Sequence, residues 1–239
     1  MLCFRLFVML AVFMGGGALS ARACEMALLL AVDVSGSVDA AEYNTQMVGL
    51  AEALRDPIVS EAIVIGQSEL MLIQWTGSSR QVAALTWTRI SDFAALNQFA
   101  ERVESEPRAW RNYSTAIGEA LAYSLEFFED VQHCRRRLID LSGDGPSNEG
   151  APPETKHSAL LSAGITVNAL AIEESEPNLT DYFREKVIVG TGAFVETAVT
   201  FADYPEKIRR KLRREVAQLT AALPMKDRVE KFARQSMSQ

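Results

Sequence analysis

The chain predicts a doubly wound α/β fold, a mostly parallel sheet with helices on both faces, and three observations predict it. Short apolar runs alternate with stretches of helical spacing along most of the sequence. Two of those runs, at 26–34 and 137–141, are nearly continuous, as strands covered on both faces must be. Small polar clusters follow directly on both, at the carboxyl strand ends where open α/β sheets bind ligands.

The elements follow in order. Residues 26–34 read as the first buried strand, with Asp33 near its end. Residues 39–54 have helical spacing, with Tyr43, Met47, Leu50 and Leu54 on one face, and Asp56-Pro57 closes the helix. Residues 62–65, 70–75 and 81–86 read as short strands, in part a hairpin, separated by Gly and Ser turns. Ser91-Asp92 opens a helix through Phe93, Leu96, Phe99 and Val103, and another starts near Thr115 and passes Leu121, Leu125 and Phe128. The buried strand 137–141 is broken by Ser142-Gly143-Asp144-Gly145-Pro146. A helix over 153–163 stops at Gly164, residues 165–172 form the next strand, 179–187 a helix and 193–197 a last edge strand. The final helix, about 204–219, sets Ile208, Leu212, Val216 and Leu219 on one side. Lys207, Arg209, Arg210, Lys211, Arg213 and Arg214 fill most of the other, which reads as a solvated outer face.

With 239 residues, 48% of them apolar and 23% charged, the chain is ordinary for a globular protein. One domain over 24–220, followed by a polar tail at 221–239, accounts for it. A net charge of -7 argues against nucleic acid as a partner, because phosphate binding needs a basic face. Arg5, the apolar run from Leu6 to Met14 and the small-x-small Ala21-Arg22-Ala23 read as a signal peptide over 1–23, cleaved after Ala23. The mature chain is then periplasmic or secreted. Residues 6–19 are shorter than the roughly 20 needed to cross a bilayer, and no later apolar run is long enough. Cys24 and Cys134 remain in the mature chain, and an oxidising compartment makes them candidates for a disulfide. The rival reading is a lipid anchor on Cys24, but Ala21 stands where a lipoprotein site carries a Leu-like residue.

The polar clusters carry the chemistry. They are Asp33-Val34-Ser35-Gly36-Ser37, Asn112-Tyr113-Ser114-Thr115 and Ser142-Gly143-Asp144-Gly145. A lone D-x-S-x-S is weak evidence, since Ser favours turns anyway. Together, however, Asp33, Asp144, Ser35, Ser37 and Thr115 offer two carboxylates and three hydroxyls, with no thiolate or imidazole. A hard divalent ion such as Mg²⁺ or Mn²⁺ takes about six oxygen ligands, so this set suits it. Two aspartates balance the ion's charge, and one further anionic oxygen from outside can complete its shell.

These loops resemble the metal-ion-dependent adhesion site of von Willebrand factor A domains. Asp33, Ser35 and Ser37 match its first loop, Thr115 with Gly118, Ala120 and Leu121 the second, and Asp144-Gly145 the third. The third loop departs in reading Ser-Gly-Asp-Gly where many relatives have Thr-Asp-Gly. More narrowly, Ala31-Val32-Asp33-Val34-Ser35-Gly36-Ser37-Val38, Ile139-Asp140-Leu141-Ser142-Gly143-Asp144-Gly145 and Gly164-Ile165-Thr166-Val167-Asn168 resemble an uncharacterised family of exported bacterial proteins. The resemblance implies an interaction module whose ion takes a Glu or Asp carboxylate of a protein partner, within a rim of Asn112, Tyr113, Ser147, Asn148 and Glu149. It implies that the last helix can shift as the metal changes ligands. It also places the first strand beside the strand before Asp144, which brings Cys24 and Cys134 to one edge and pairs them in a disulfide.

Three competing readings are weighed against this. Asp140-x-Ser142-x-Asp144 superficially matches a calcium loop, but Ala151 stands where a bidentate glutamate is needed. Asp140 reads instead as a hydrogen-bonded buried carboxylate or a support for the metal loop. Catalysis lacks a G-x-S-x-G elbow and a histidine near the loops, so the residues point to binding, with a metal-dependent hydrolase or an ion that merely stiffens the loops as alternatives. Trp75 is the best candidate for an exposed aromatic anchor, although core packing is the commoner role for such a residue.

Overall fold

A computed structural model describes residues 24–222, with side chains as far as Ala217. The expected signal peptide and nearly all of the polar tail lie outside the described residues.

Strand β1 (Met26–Asp33) is buried along its whole length. Asp39 then caps helix α1 (Ala40–Leu54) by accepting from the Ala41 and Glu42 amides, while Glu42 accepts from the Asp39 amide in return. Helix α2 (Pro57–Ile65) corrects the expectation of a strand at 62–65. Asp56 accepts from the Ile58 and Val59 amides and Pro57 takes the first turn, so Asp56-Pro57 starts a helix as well as ending one. A short apolar run fits either element, and here the cap decides it. β2 (Glu69–Trp75) and β3 (Gln81–Arg89) form the antiparallel hairpin, followed by α3 (Phe93–Ser105) and α4 (Ile117–Phe127).

β4 (Arg136–Gly143) leads to a 3-10 turn at Pro153–Lys156 and α5 (His157–Ser162), which Gly164 ends with φ of 65°. β5 (Ile165–Ile172), α6 (Leu179–Lys186), β6 (Val195–Ala198) and α7 (Tyr204–Ala222) complete the chain. The sheet order is β3-β2-β1-β4-β5-β6, and every neighbouring pair except β2–β3 is parallel.

Alternate residues of the central strands serve two separate cores. Leu28, Leu30 and Val32 face α1, α2, α3 and α7, while Ala27, Leu29 and Ala31 face α4, α5 and α6. Each fully buried leucine here contributes roughly 1.5–3 kcal/mol over an exposed one. Ile208, Leu212 and Val216 form the buried stripe of α7 as expected, joined by Tyr204, while the side chain of Leu219 lies outside the described residues. The basic side of that helix is not all solvated. Arg213 pairs with Asp56 at 2.5 Å and Arg210 with Glu196 at 3.4 Å, while Lys211 is wholly buried because carboxylates of the interior meet it.

Cys24 and Cys134 form a disulfide with Cα atoms 4.5 Å apart, just before β1 and β4. The Arg135 amide donates to the Cys24 carbonyl at 3.0 Å and the Arg136 amide to that of Glu25 at 3.1 Å, so the bridge continues the pairing of the two strands. Its sequence separation of 110 residues makes the closed loop long. Cys24→Ser with Cys134→Ser is expected to lower stability by about 2–5 kcal/mol, read as a lower urea midpoint against the oxidised wild type. A second expectation comes from the side-chain hydrogen bond of Arg213, which holds the Asp56 carboxyl below its usual range. A depressed folded pKa stabilises above the unfolded value of about 3.9 and is lost as pH falls through the folded value. Arg213→Met should therefore lower the urea midpoint at pH 7, and its deficit should shrink steadily below about pH 4.

Candidate metal centre

The first loop leaves β1 at Asp33 and turns at once. The Ser35 amide donates to Asp33 Oδ1 at 2.7 Å, and the Val38 amide to the Ser35 carbonyl at 3.1 Å. Ser35 Oγ and Ser37 Oγ lie 3.2 Å apart, and Ser37 Oγ donates to Asp144 Oδ1 at 2.7 Å. One chain of contacts thus joins Asp33, Ser35, Ser37 and Asp144. β1 and β4 are parallel, with Val32 opposite Ser142, and this register brings the first and third loops to the same edge.

The second loop is tied to both. The Gly36 amide donates to the Tyr113 carbonyl at 2.7 Å, so close that a Cβ at Gly36 would lie 3.2 Å from that oxygen. Thr76 fastens the loop to the end of β2, its hydroxyl donating to the Ser114 carbonyl at 2.8 Å and its carbonyl accepting from the Ala116 amide at 3.0 Å. The Thr115 amide donates to Asn148 Oδ1 at 2.9 Å, and the Thr115 carbonyl accepts from the Asn148 amide at 2.9 Å. Thr115 is buried, and the five oxygen-bearing residues lie at the end of β1 and on loops tied together by hydrogen bonds.

The electrostatics are those of a buried carboxylate pair with a single guanidinium, Arg108, near both. Burial pushes the Asp33 carboxyl up to about 8, the charge of Asp144 adding to the rise. Burial also raises Asp144. Asp33 Oδ2 is buried with no hydrogen-bond partner. A cation against these oxygens reverses the penalty, and a donor set of carboxylates and hydroxyls suits a hard divalent ion.

Several supporting residues were not singled out from sequence. Arg108 donates to the carbonyls of Val34 and Ser35 at 3.1 and 2.8 Å, and nothing in its surroundings in the chain signals that role. Gln46 donates to the Asp33 carbonyl and accepts from Ser142 Oγ, both at 3.4 Å. Its signal was readable, since a glutamine one turn from Tyr43 and Leu50 interrupts the buried face of α1.

Around the edge, Asn112 adopts φ of 60°, and Tyr113 is exposed with the Arg80 guanidinium 3.8 Å above its ring. Glu149 accepts from Ser114 Oγ. Ser147 and Asn148 serve as braces, Ser147 Oγ accepting from the Ile117 amide at 3.2 Å and Asn148 holding Thr115. Trp75 is wholly buried, which corrects the reading of an exposed anchor. It lies beneath the third loop, where a Cβ on Gly143 would come within 3.5 Å of Trp75 Cζ2 and 3.2 Å of Asp33 Oδ2. No described helix is long and apolar enough to cross a membrane.

A family profile described as "Protein of unknown function (DUF1194)" matches residues 23–220. No curated protein matches the chain significantly. Among solved structures, proximal thread matrix protein 1 from the mussel byssus is similar with a TM-score of 0.61 at 19% identity, over 82% of this chain and 49% of its own. One structure of that protein is described as having a zinc-occupied MIDAS motif. The von Willebrand factor type A protein of Catenulispora acidiphila gives 0.58 at 16% identity, over 80% of this chain and 43% of its own. The vWF domain of the type V pili tip protein Mfa5 from Porphyromonas gingivalis gives 0.61 at 8%, over 83% and 97%. The chain thus spans about half the length of the mussel protein and nearly all of the Mfa5 domain. These likenesses show the fold, a six-stranded, mostly parallel α/β sheet of the von Willebrand factor A kind.

Gly118 governs how close the second and third loops come. A Cβ there would stand 2.1 Å from the Ala151 carbonyl oxygen, while the Ala151 amide donates to Glu119 Oε1 at 2.9 Å. Gly118→Ala is expected to push residues 148–151 off the start of α4 and to cost about 1–3 kcal/mol, measured by urea unfolding.

Proposed function

We propose that this chain, which belongs to the protein family of unknown function DUF1194, is an exported interaction module that grips an acidic side chain of a protein partner through a divalent ion. The ion, Mg²⁺ or Mn²⁺, is held by Asp33, Ser35, Ser37, Thr115 and Asp144. The observation that carries this reading is the buried Asp33 Oδ2, which has no hydrogen-bond partner, beside Asp144 and the hydroxyls of Ser35 and Ser37, with the carboxyl raised by burial. Arg108 is a single positive charge beside two buried carboxylates, so an edge built to hold both favours a further cation.

When bound, the ion supplies a Lewis-acidic position that an incoming carboxylate completes. The chain's own residues do the rest. Two aspartates cancel the ion's charge, the hydroxyls add none, and a third carboxylate from outside remains attractive. Asn112, Tyr113 and Asn148 are the exposed residues of the rim, with Ser147 and Glu149 half-buried among them and Asn148 also bracing Thr115. The zinc described in the mussel protein is borderline-soft, whereas the oxygen-only set here favours a harder ion. The disulfide at the opposite edge supports an oxidising, extracytoplasmic location.

Titration of Mn²⁺ into chelator-treated protein is expected to show one site per chain, with affinity reduced at least about tenfold by Asp33→Ala. At ion concentrations about 100 times the wild-type Kd the wild type should gain ~2.7 kcal/mol of stability, and Asp33→Ala should gain no more than about half of that. Capture of a partner from an envelope extract should then be reversed by chelator and lost in Asp33→Ala. Equal capture after chelation sinks the adhesion reading, and ion-dependent stability without any effect on capture replaces it with a structural role. Turnover of a phosphoester or peptide that vanishes in Asp33→Ala replaces it with a hydrolase.

A further inference from the structure

Away from the metal loops, a second charged cluster lies between α7 and the centre of the sheet. Lys211 is wholly buried, and its Nζ stands 2.6 Å from Asp140 Oδ1 on β4 and 2.9 Å from Glu215 Oε1 one helical turn on. Asn168 on β5 donates from Nδ2 to Glu215 Oε1 at 2.9 Å and so orients that carboxylate. The Phe194 ring lies 5.8 Å from Nζ. Asp140 Oδ2 and Glu215 Oε2 are buried and have no hydrogen-bond partner. Arg136 also lies beside Glu215, donating from Nη1 to its carbonyl at 2.9 Å, so two cations and two carboxylates share the site, and taking these charges out of water is costly.

We propose that Lys211 and Asp140 condense into an intrachain isopeptide bond, with Glu215 as the catalytic proton carrier, so that α7 is covalently tied to β4. The contact distances are those of the reactant pair. A proton first passes from the Lys211 ammonium to Asp140 Oδ1, leaving a neutral amine beside a neutral acid. Burial, which pushes the Asp140 carboxyl up to about 7, lowers the cost of that transfer, while the ion pair stays the major form because the ammonium is held above its usual range. Burial also lowers the Lys211 ammonium, but Asp140 and Glu215 together raise it further, so the free amine arises only by transfer inside the cluster.

The Nζ lone pair then attacks Asp140 Cγ. Glu215 takes one of the two protons left on Nζ and hands it to the Oδ1 hydroxyl, which departs as water when the C–O bond breaks. One ammonium and one carboxylate become one secondary amide and one water, Glu215 is regenerated, and no oxidant or co-substrate is needed. Holding amine and acid in contact replaces a bimolecular encounter by an intramolecular one, which is why such a condensation can proceed without an activating group. The product removes two buried charges. It also closes off any sliding of α7 along the sheet, and it stands whether or not the upper edge binds an ion.

The test is mass spectrometry of the purified, reduced wild-type chain, followed by tryptic digestion. The expected result is a chain lighter by one water, with Lys211-Leu212-Arg213 recovered joined to the peptide 138–156, since a modified Lys211 blocks cleavage after it. The joined peptide decides the matter, because Asp144-Gly145 in the same peptide can lose water by itself. Separate peptides at full mass, or a water loss mapped elsewhere, overturn the proposal and leave a buried ion pair only. Glu215→Gln, shown to be folded by circular dichroism and an intact disulfide, is expected to keep the full mass. Complete cross-linking in that variant overturns the role given to Glu215.

Discussion

Two carboxylates buried at the ends of neighbouring parallel strands repel each other, and the upper edge of the sheet is arranged to hold that repulsion in place. The register of β1 on β4 puts Asp33 opposite Gly143 and Asp144 one step beyond it. Gly143 has no side chain to separate them, and a Cβ there would press on Asp33 Oδ2. Ser37 then bridges to Asp144, the Ser35 amide holds Asp33, and Arg108 fastens the backbone of the first loop. Removing the strain by loosening these loops would break the strand ends themselves. The arrangement is therefore preorganised, with the cost of bringing like charges together met by folding rather than by the ligand.

β4 is the element on which the other constraints converge. Cys134 anchors its beginning to β1 through the disulfide, Asp140 meets Lys211 halfway along, and Asp144 follows its end. Period-two alternation sorts these contacts. Leu138, Asp140 and Ser142 face the layer containing α1 and α7, whereas Ile139 and Leu141 face α4 and α6. Asp140 and Ser142 thus lie on the side of Lys211 and Gln46, and the opposite face is apolar beyond Arg137.

The legibility of this architecture in the sequence was uneven for physical reasons. β1, β4 and β5 were readable because strands buried on both faces need mostly apolar runs, with Asp33 and Gly143 ending the first two and Gly164 preceding the third. α2 was misread because its apolar run is short and its capping aspartate also served as a stop for α1. The first loop was readable as a contiguous cluster. The place of Thr115 depended on the second loop meeting the same edge, which rests on main-chain bonds from Gly36 and Thr76 that no residue type announces. The disulfide was a candidate from the cysteine count and the signal peptide, but bringing both cysteines to one edge needed the fold, since sequence spacing does not show which strands are neighbours. Lys211 was misassigned because a run of basic residues on one helix face looks solvated when its buried partners are far away in sequence.

That misassignment bears on how the two ends of the molecule communicate. Coupling between a metal edge and a terminal helix needs an element with two arrangements of similar energy. α7 is held against the sheet by its apolar stripe, by Arg213 on Asp56 and by Lys211 in the interior. A displacement would have to drag a wholly buried ammonium away from two carboxylates, leaving uncompensated charges out of water. Even as an ion pair, this contact weights the equilibrium strongly toward one position, and an amide would remove the alternative altogether. The interaction reading of the upper edge therefore does not require a moving helix. A rigid site, with loops locked by the strand register and a helix pinned behind them, is the arrangement the charges favour.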